Sequence, residues 1–140
     1  MESNVLRITM VNDCGIPPEH LGGIEQYTYT LANLLHSTGK YVNLVCPSQN
    51  PNQIKCDFSL TTVKPFGNFW SRRPIADISY SIMYKRLLKA GEKISNHQIV
   101  HTHNPYAAGF AGKLLKESLN IPAIMTFHTS MGNEIGRAHV

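Results

Sequence analysis

Apolar positions along the chain fall into two patterns, short β-branched runs and longer segments with helical spacing. The first run, Val5 to Val11, predicts a buried strand. A helix is predicted after Gly23, because apolar residues recur there at intervals of three and four: Ile24, Tyr27, Leu31, Leu34 and Leu35. Gly39 suits the end of this helix, since glycine readily adopts the left-handed conformation found just beyond many helices.

The same succession of strand and helix continues along the rest of the chain. Further strands are predicted at 41–46, 58–63, 97–103 and 121–127, and further helices at 75–95 and from Pro105 onward. For the last helix, Asn104 is the predicted N-cap, and the predicted buried face is Ala107, Ala108, Phe110, Ala111, Leu114 and Leu115. Alternating strands and helices predict an α/β fold, a Rossmann-like parallel sheet with helices on both faces.

Composition and charge narrow the class of protein only slightly. The chain has 140 residues, of which 42% are hydrophobic and 16% charged, so we expect one globular domain and exclude a disordered chain. Its net charge of +4 does not by itself indicate nucleic acid, and it suits an enzyme that meets anionic substrates or a lipid surface. No leader, membrane span or metal-binding cysteine pattern is evident, so we expect a cytoplasmic protein with reduced thiols.

Two glycines, Gly22 and Gly23, precede the first predicted helix. Without a Cβ, their backbone lets a ligand approach closely. The free N–H groups and dipole at the start of a helix favour an anion such as a phosphate. A plain turn is the alternative, and the glycine-rich fingerprints of dinucleotide sites and P-loops are absent.

Histidines stand at the ends of two predicted strands. His101 and His103 are two residues apart on a strand and therefore face the same side, while His128 directly follows the last strand. In open parallel sheets ligands bind beyond the carboxyl ends of the strands, so His128 is placed to donate to a phosphate or a sugar hydroxyl. For His101 and His103, packing or hydrogen bonding is the ordinary alternative, and a metal site that includes His128 is a less favoured one. For His128, the alternative is a solvated loop histidine.

Aromatic and basic residues are concentrated in the middle of the chain. The loop 66–73 contains Phe66, Phe69, Trp70, Arg72 and Arg73, and the next helix carries Lys85, Arg86, Lys89 and Lys93. Such a mixture can stack on a sugar or touch a membrane interface. An ordinary loop followed by a solvated helix face is the slightly favoured interpretation.

Three segments together resemble family-4 glycosyltransferases. Residues 22–26 (GGIEQ) are similar to the "GG-x-E" opening of that family, and residues 100–105 (VHTHNP) to its "VVHAHSP" segment. Residues 121–129 (IPAIMTFHT) are similar to its "IPxVxTxHG" segment, with Thr129 where the family usually has glycine. The three occur in the order of the family, and together they cover about residues 5–133.

The resemblance implies a GT-B enzyme with two Rossmann-like domains, of which residues 1–133 form the N-terminal, acceptor-side domain. It implies sugar transfer with retention from a nucleotide diphosphate sugar to a sugar or lipid acceptor, with no cofactor, no metal and no nucleic acid. It places Gly22 and Gly23 near the donor diphosphate and His128, as the catalytic residue, near the transferred sugar. His103 and Asn104 would line the acceptor side, and peripheral contact with a membrane stays open.

The last seven residues, 134–140 (EIGRAHV), depart from the resemblance. They can be encoded by a string similar to a common sequencing adapter, so we expect a non-native tail, with a genuine divergent C-terminus as the alternative. The C-terminal, donor-binding domain would then be absent and the fragment inactive alone. Two other interpretations stay open: a nucleotide-sugar epimerase of GT-B type, and a non-catalytic sugar- or lipid-binding module.

Overall fold

The computed structural model describes residues 5–66, 75–94 and 96–128, without the side chains of residues 75–80. The predicted loop residues Phe69, Trp70, Arg72 and Arg73 and the tail 134–140 lie outside the described residues. The elements in chain order are β1 (Arg7–Val11), α1 (Gly23–Ser37), β2 (Tyr41–Pro47), a 3₁₀ turn (Pro51–Gln53), β3 (Ser59–Val63), α2 (Ile75–Glu92), β4 (Ile99–His103), α3 (Ala107–Leu119) and β5 (Ala123–Thr126). The predicted strands and helices are confirmed, with ends that differ by a few residues.

All strand pairs in the sheet are parallel, and the strand order is β3-β2-β1-β4-β5. Parallel strands require crossover connections, which the three helices supply except between β2 and β3, where the connection contains only the 3₁₀ turn. Residues of β1 alternate between the two faces: Met10 packs with the residues beneath α1, whereas Val11 packs with those beneath α2 and α3. The predicted α/β fold, with helices on both faces of a parallel sheet, is confirmed.

Helix α1 packs on the sheet through two small buried side chains together with Leu31 and Leu35, so the predicted apolar face is confirmed in part. Thr28 and Ala32 are its buried residues, whereas Leu34 is 58% exposed and Tyr27 is 47% exposed. Thr28 tolerates burial because its hydroxyl donates to the carbonyl of Ile24 at 2.7 Å. Gly39 has a φ of +95° and follows the helix as predicted.

Helix α3 lies close to the sheet because the side facing it is made of glycine and alanine. A Cβ added to Gly112 would stand 2.1 Å from the methyl carbon of Thr102 in β4. The predicted buried face holds for Ala107, Ala108, Ala111 and Leu115, whereas Phe110 and Leu114 are only partly buried. This close packing fixes the height of α3 above the carboxyl end of β4.

In the described part of the chain, no helix is long and apolar enough to span a bilayer. Cys14, Cys46 and Cys56 are free, and burial raises the pKa of the Cys14 and Cys46 thiols, so both remain protonated at neutral pH.

Candidate functional site

The carboxyl ends of β1, β4 and β5 meet at one edge of the sheet. His101 and His103 stand on β4, and His128 follows β5 after one intervening residue. His101 is the register partner of Met10, so the β4 histidines lie on the face that α1 covers. The two glycines at the start of α1 follow the loop from β1. The chain therefore brings the predicted histidines and glycines to the same edge.

His101, His103 and His128 form a stacked group that we call the histidine cluster. The ring centroids of His101 and His103 are 4.5 Å apart, and those of His103 and His128 are 5.1 Å apart. A hydrogen bond of 2.9 Å joins Nδ1 of His103 to Nε2 of His128, and one of 2.7 Å joins Nε2 of His101 to the Thr126 hydroxyl. Tyr27 of α1 covers the cluster, with its ring centroid 4.6 Å from that of His128.

Burial keeps the histidine cluster neutral. The pKa of His103 is lowered to about 3, chiefly because the ring is removed from solvent and secondly because His101 and His128 would repel its charge. Burial also lowers the pKa of His101 and of His128. All three rings are therefore uncharged at neutral pH, and Nε2 of His103 is buried with no hydrogen-bond partner in the described chain.

Asn104 positions His128 instead of capping α3. Its φ is +75°, a left-handed conformation that asparagine tolerates better than most residues. Its side-chain oxygen accepts a hydrogen bond from the backbone N–H of His128 at 2.9 Å, and its own N–H donates to the carbonyl of Thr126 at 2.8 Å. The predicted N-cap at Asn104 is therefore wrong, because its side chain is already bonded to the segment after β5.

Asp13 supplies the contact at the start of α3 that the sequence analysis assigned to Asn104. The helix begins at Ala107, and Oδ2 of Asp13 accepts a hydrogen bond from the N–H of Ala108 at 3.0 Å. Burial raises the pKa of Asp13 to about 6, against the opposing effect of the Ala108 N–H. Asp13 was not predicted as a site residue from the sequence. Its signal was the polar pair Asn12-Asp13 directly after a buried strand.

The glycine pair opens α1 as predicted. Gly22 is the N-cap and Gly23 is the first helical residue, with no side-chain cap. A Cβ added to Gly23 would have no described atom within 4 Å, so space is open beside its backbone. A Cβ on Gly22 would instead stand 2.5 Å from the carboxylate of Glu25, which lies over the helix start.

The predicted site residues separate into accessible and supporting groups. Gly23 and His128 reach solvent, and Tyr27, one turn along α1 from Gly23, packs against His128. His103 and Asn104 are buried beneath them, so their role on the acceptor side stays a prediction. Within the described residues, no group of three or more His, Cys, Asp or Glu side chains is arranged to hold a metal ion.

Solved structures that share this fold include proteins of different function. CalG4, the calicheamicin glycosyltransferase, matches with a TM-score of 0.61 and 16% identity, over 96% of this chain and 35% of its own. The glycotransferase of kitacinnamycin matches with a TM-score of 0.62 and 13% identity, over 89% of this chain and 31% of its own. The C-terminal domain of a hydrogenase from Pyrococcus furiosus matches with a TM-score of 0.61 and 12% identity, over 86% and 90%.

These structural similarities establish the fold alone, and the family is assigned from the sequence. The chain spans about a third of the length of the two glycosyltransferases. No curated protein matches it closely enough to count as a relative. The sequence model of Glycosyltransferase Family 4 matches residues 21–139, which is most of the chain and includes the glycine pair and the histidine cluster. The chain belongs to Glycosyltransferase Family 4.

Proposed function

We propose that this chain is the N-terminal, acceptor-side domain of an enzyme that transfers a sugar from a nucleotide diphosphate sugar to a sugar or lipid acceptor, with retention of configuration. One observation carries the proposal. The start of α1 at Gly23 lies one turn from Tyr27, and Tyr27 packs 4.6 Å from the ring of His128. An anion-binding helix start and a neutral hydrogen-bond donor are therefore side by side, as transfer from a diphosphate requires.

In this proposal His128 acts as an uncharged donor. Its Nε2 is bonded to Nδ1 of His103, and Nε2 of His103 has no partner in the described chain. A buried N–H without an acceptor is less tolerable than a buried lone pair, so the proton of His103 belongs on Nδ1, where it donates to His128. His128 then carries its own proton on Nδ1, available to the transferred sugar or the diphosphate.

Gly22 and Gly23 receive the donor diphosphate in this proposal. The first N–H groups of a helix lack internal partners, and the helix dipole adds to their attraction for an anion. The open space beside Gly23 suits close approach by a phosphate. Glu25 lies over Gly22, so its carboxylate has to move aside when the diphosphate binds.

His103 and Asn104 act on the acceptor side through His128. His103 bonds to its ring, and Asn104 bonds to its backbone N–H. Because both side chains are buried, we assign them to positioning: they hold His128 against Tyr27 at the edge of the acceptor region. The proposal needs no metal ion and no cofactor, and the nucleotide sugar is the donor substrate.

The first test is His128→Ala in the full-length enzyme, assayed with a panel of nucleotide sugars. Loss of a positioned proton donor is expected to lower kcat by about a hundredfold, with a smaller change in stability because the side chain lies beyond β5. The matched control is His36→Ala, which removes an exposed histidine in the last turn of α1. Equal turnover in the two variants would remove His128 from the mechanism.

The second test is Gly23→Val, which addresses the donor site separately. The fold has room for the new side chain, so we expect normal thermal unfolding. A branched side chain at the helix start should nevertheless obstruct the diphosphate and raise KM for the donor by about tenfold or more. An unchanged donor KM in a folded Gly23→Val enzyme would rule out the diphosphate assignment.

A further inference from the structure

A second concave surface lies on the opposite face of the sheet from the histidine cluster. It is a cavity of about 930 Å³ between α2 and the strands β1, β2 and β3. Asn43 and Thr61 belong to its lining and share the sheet face of Val45 and Val63, which pack beneath α2. The cavity is therefore separated from the histidine cluster by the sheet itself.

Cationic side chains surround this cavity, which we call the basic cavity. They are Arg7, Lys64, Arg86, Lys89 and Lys93. Arg86 and Lys89 stand on one side of α2, and Lys93 directly follows its end. None of the described lining residues is acidic. Like charges gathered around a cavity with low-dielectric walls create a field that attracts anions.

Two of the cations are already held in place. The Arg86 guanidinium donates to the backbone carbonyl of Lys64 at 2.5 Å. The Arg7 guanidinium lies 4.6 Å from the centroid of the Tyr41 ring. Both contacts use only part of the guanidinium, so other N–H groups remain to bind a ligand bidentately, and less side-chain freedom is lost when it binds.

The neutral lining adds hydrogen-bond donors. The Thr61 hydroxyl donates to the side-chain oxygen of Asn43 at 2.9 Å, which leaves the Asn43 amide N–H groups free to donate. The Ser59 hydroxyl donates to the Tyr41 oxygen at 3.0 Å, so Tyr41 keeps its own proton for another acceptor. Cations and neutral donors together suit a ligand rich in acceptor oxygens.

We propose that the basic cavity binds an anion with two phosphate groups, either as a free diphosphate compound or as the headgroup of a lipid. One phosphate group accepts hydrogen bonds from about two cationic side chains. Five cations around one cavity therefore suit two phosphates better than one. The volume of about 930 Å³ is that of a small-molecule site. This site is separate from the proposed transfer site and does not depend on it.

The test is calorimetric titration of the 140-residue chain with sodium pyrophosphate at low salt. We expect saturable binding that weakens by at least about tenfold in the double variant Lys89→Gln/Lys93→Gln, since two contact charges are removed. Amide NMR shifts should appear at Asn43 and Thr61 in the wild-type chain. Inorganic phosphate should bind about tenfold more weakly than pyrophosphate, because it engages fewer cations.

Two controls keep this site apart from the proposed donor site. Lys113→Gln/Lys116→Gln removes two lysines from α3, outside the cavity lining, and should leave pyrophosphate affinity unchanged. Gly23→Val obstructs the proposed donor site, and the pyrophosphate binding that Lys89→Gln/Lys93→Gln weakens should persist in it. Absence of saturable binding at millimolar pyrophosphate would overturn the proposal. Binding that survives Lys89→Gln/Lys93→Gln but is lost in Gly23→Val would overturn it as well and assign the pyrophosphate to α1.

A vesicle-binding experiment distinguishes a lipid headgroup from a free diphosphate compound as the ligand. Phosphatidylcholine vesicles with and without a phosphatidylinositol bisphosphate are mixed with the chain, and binding is followed by co-sedimentation. Capture by the bisphosphate vesicles that pyrophosphate reverses would assign a lipid headgroup. Pyrophosphate binding without vesicle capture would assign a free ligand. Vesicle capture that pyrophosphate cannot reverse, and that the lysine double variant retains, would contradict a lipid in this cavity.

Discussion

The histidine cluster and the basic cavity lie on opposite faces of one sheet, and both consist of side chains that can carry a positive charge. The histidines are neutral, whereas the lysines and arginines are charged. His103 is buried, His101 and His128 are partly buried, the rings pack against one another, and their pKa values are lowered. The cavity lysines remain at the surface, where water supports their charge. Burial, more than residue type, therefore decides that one region offers neutral hydrogen bonds and the other offers positive charge.

This difference makes the two regions separable by experiment. Acid charges the histidine cluster but leaves lysine and arginine as they are at neutral pH. Salt screens the exposed cations but has little effect on a buried neutral ring. Perturbations of pH, packing and ionic strength should therefore act on one region at a time.

The largest expected effect is the loss of stability when His103 is forced to take a proton. Its pKa is lowered in the folded chain from 6.5 to about 3, so its stabilising contribution is complete above pH 6.5 and is lost as the pH falls toward 3. Each pKa unit corresponds to about 1.4 kcal/mol, so the full interval is worth about 5 kcal/mol. Urea denaturation from pH 7 to pH 4 measures the part of this stability loss that occurs above pH 4.

His103→Phe is the variant that isolates this effect. It retains an aromatic ring but cannot titrate, so the free energy of unfolding should depend less steeply on pH below 6.5 than in the wild-type chain. Because the bond to His128 is also lost, only the slopes are compared. Identical slopes would show that His103 is not the group that resists protonation.

The next largest effect concerns the packing that holds the histidine cluster. Gly112→Val in α3 places a Cβ 2.1 Å from the Thr102 methyl carbon, so atoms of α3 or β4 have to shift to accept it. Overpacking of this kind is expected to destabilise the chain by about 3 kcal/mol. Denaturant unfolding checks this, with Gly23→Ala as the control because its Cβ meets no described atom within 4 Å. A fully stable Gly112→Val chain would contradict the close approach of α3 to β4.

Asp13 should show the opposite dependence on pH from His103. Its pKa is raised from 3.8 to about 6, so burial of the charged form destabilises the fold, and stability decreases as the pH rises from about 4 to 6. Asp13→Asn keeps an acceptor for the Ala108 N–H and removes the charge. We expect it to be more stable than wild type by about 2 kcal/mol at pH 8 and equally stable at pH 4. A uniform loss of stability at both pH values would point to a cap that requires the carboxylate.

The sequence predicted the fold well because its signals are local. β-branched runs and the regular alternation with helical segments are enough to indicate strands, helices and a parallel sheet. The position of His128 just beyond a strand was predicted for the same reason, as was the helix start after Gly22. The resemblance to family motifs then suggested sugar transfer as the chemistry at these positions, which the spacing of residues along the sequence did not indicate.

What the sequence did not predict are contacts between distant segments. Asp13 lies 95 residues from Ala108, and nothing in either segment indicates that the carboxylate reaches the start of α3. Asn104-Pro105 looks like a helix cap locally, but the backbone of His128 competes for the Asn104 side chain. The basic cavity depends on strand order, which brings Arg7 of β1 to the same cavity as Lys64 after β3 and Lys89 of α2.

The smallest expected effect is on the stability of the basic cavity without a ligand. Lys89→Gln/Lys93→Gln relieves repulsion among exposed cations, so it should change the free energy of unfolding by no more than about 0.5 kcal/mol, in the stabilising direction at low salt. Thermal unfolding in low and high sodium chloride checks this, since screening should remove the difference. Adding pyrophosphate should then raise the Tm of the wild-type chain more than that of the variant. A variant that loses several kcal/mol would mean that these lysines hold α2 in place, and the contrast between a cluster built for neutrality and a cavity built for charge would fail.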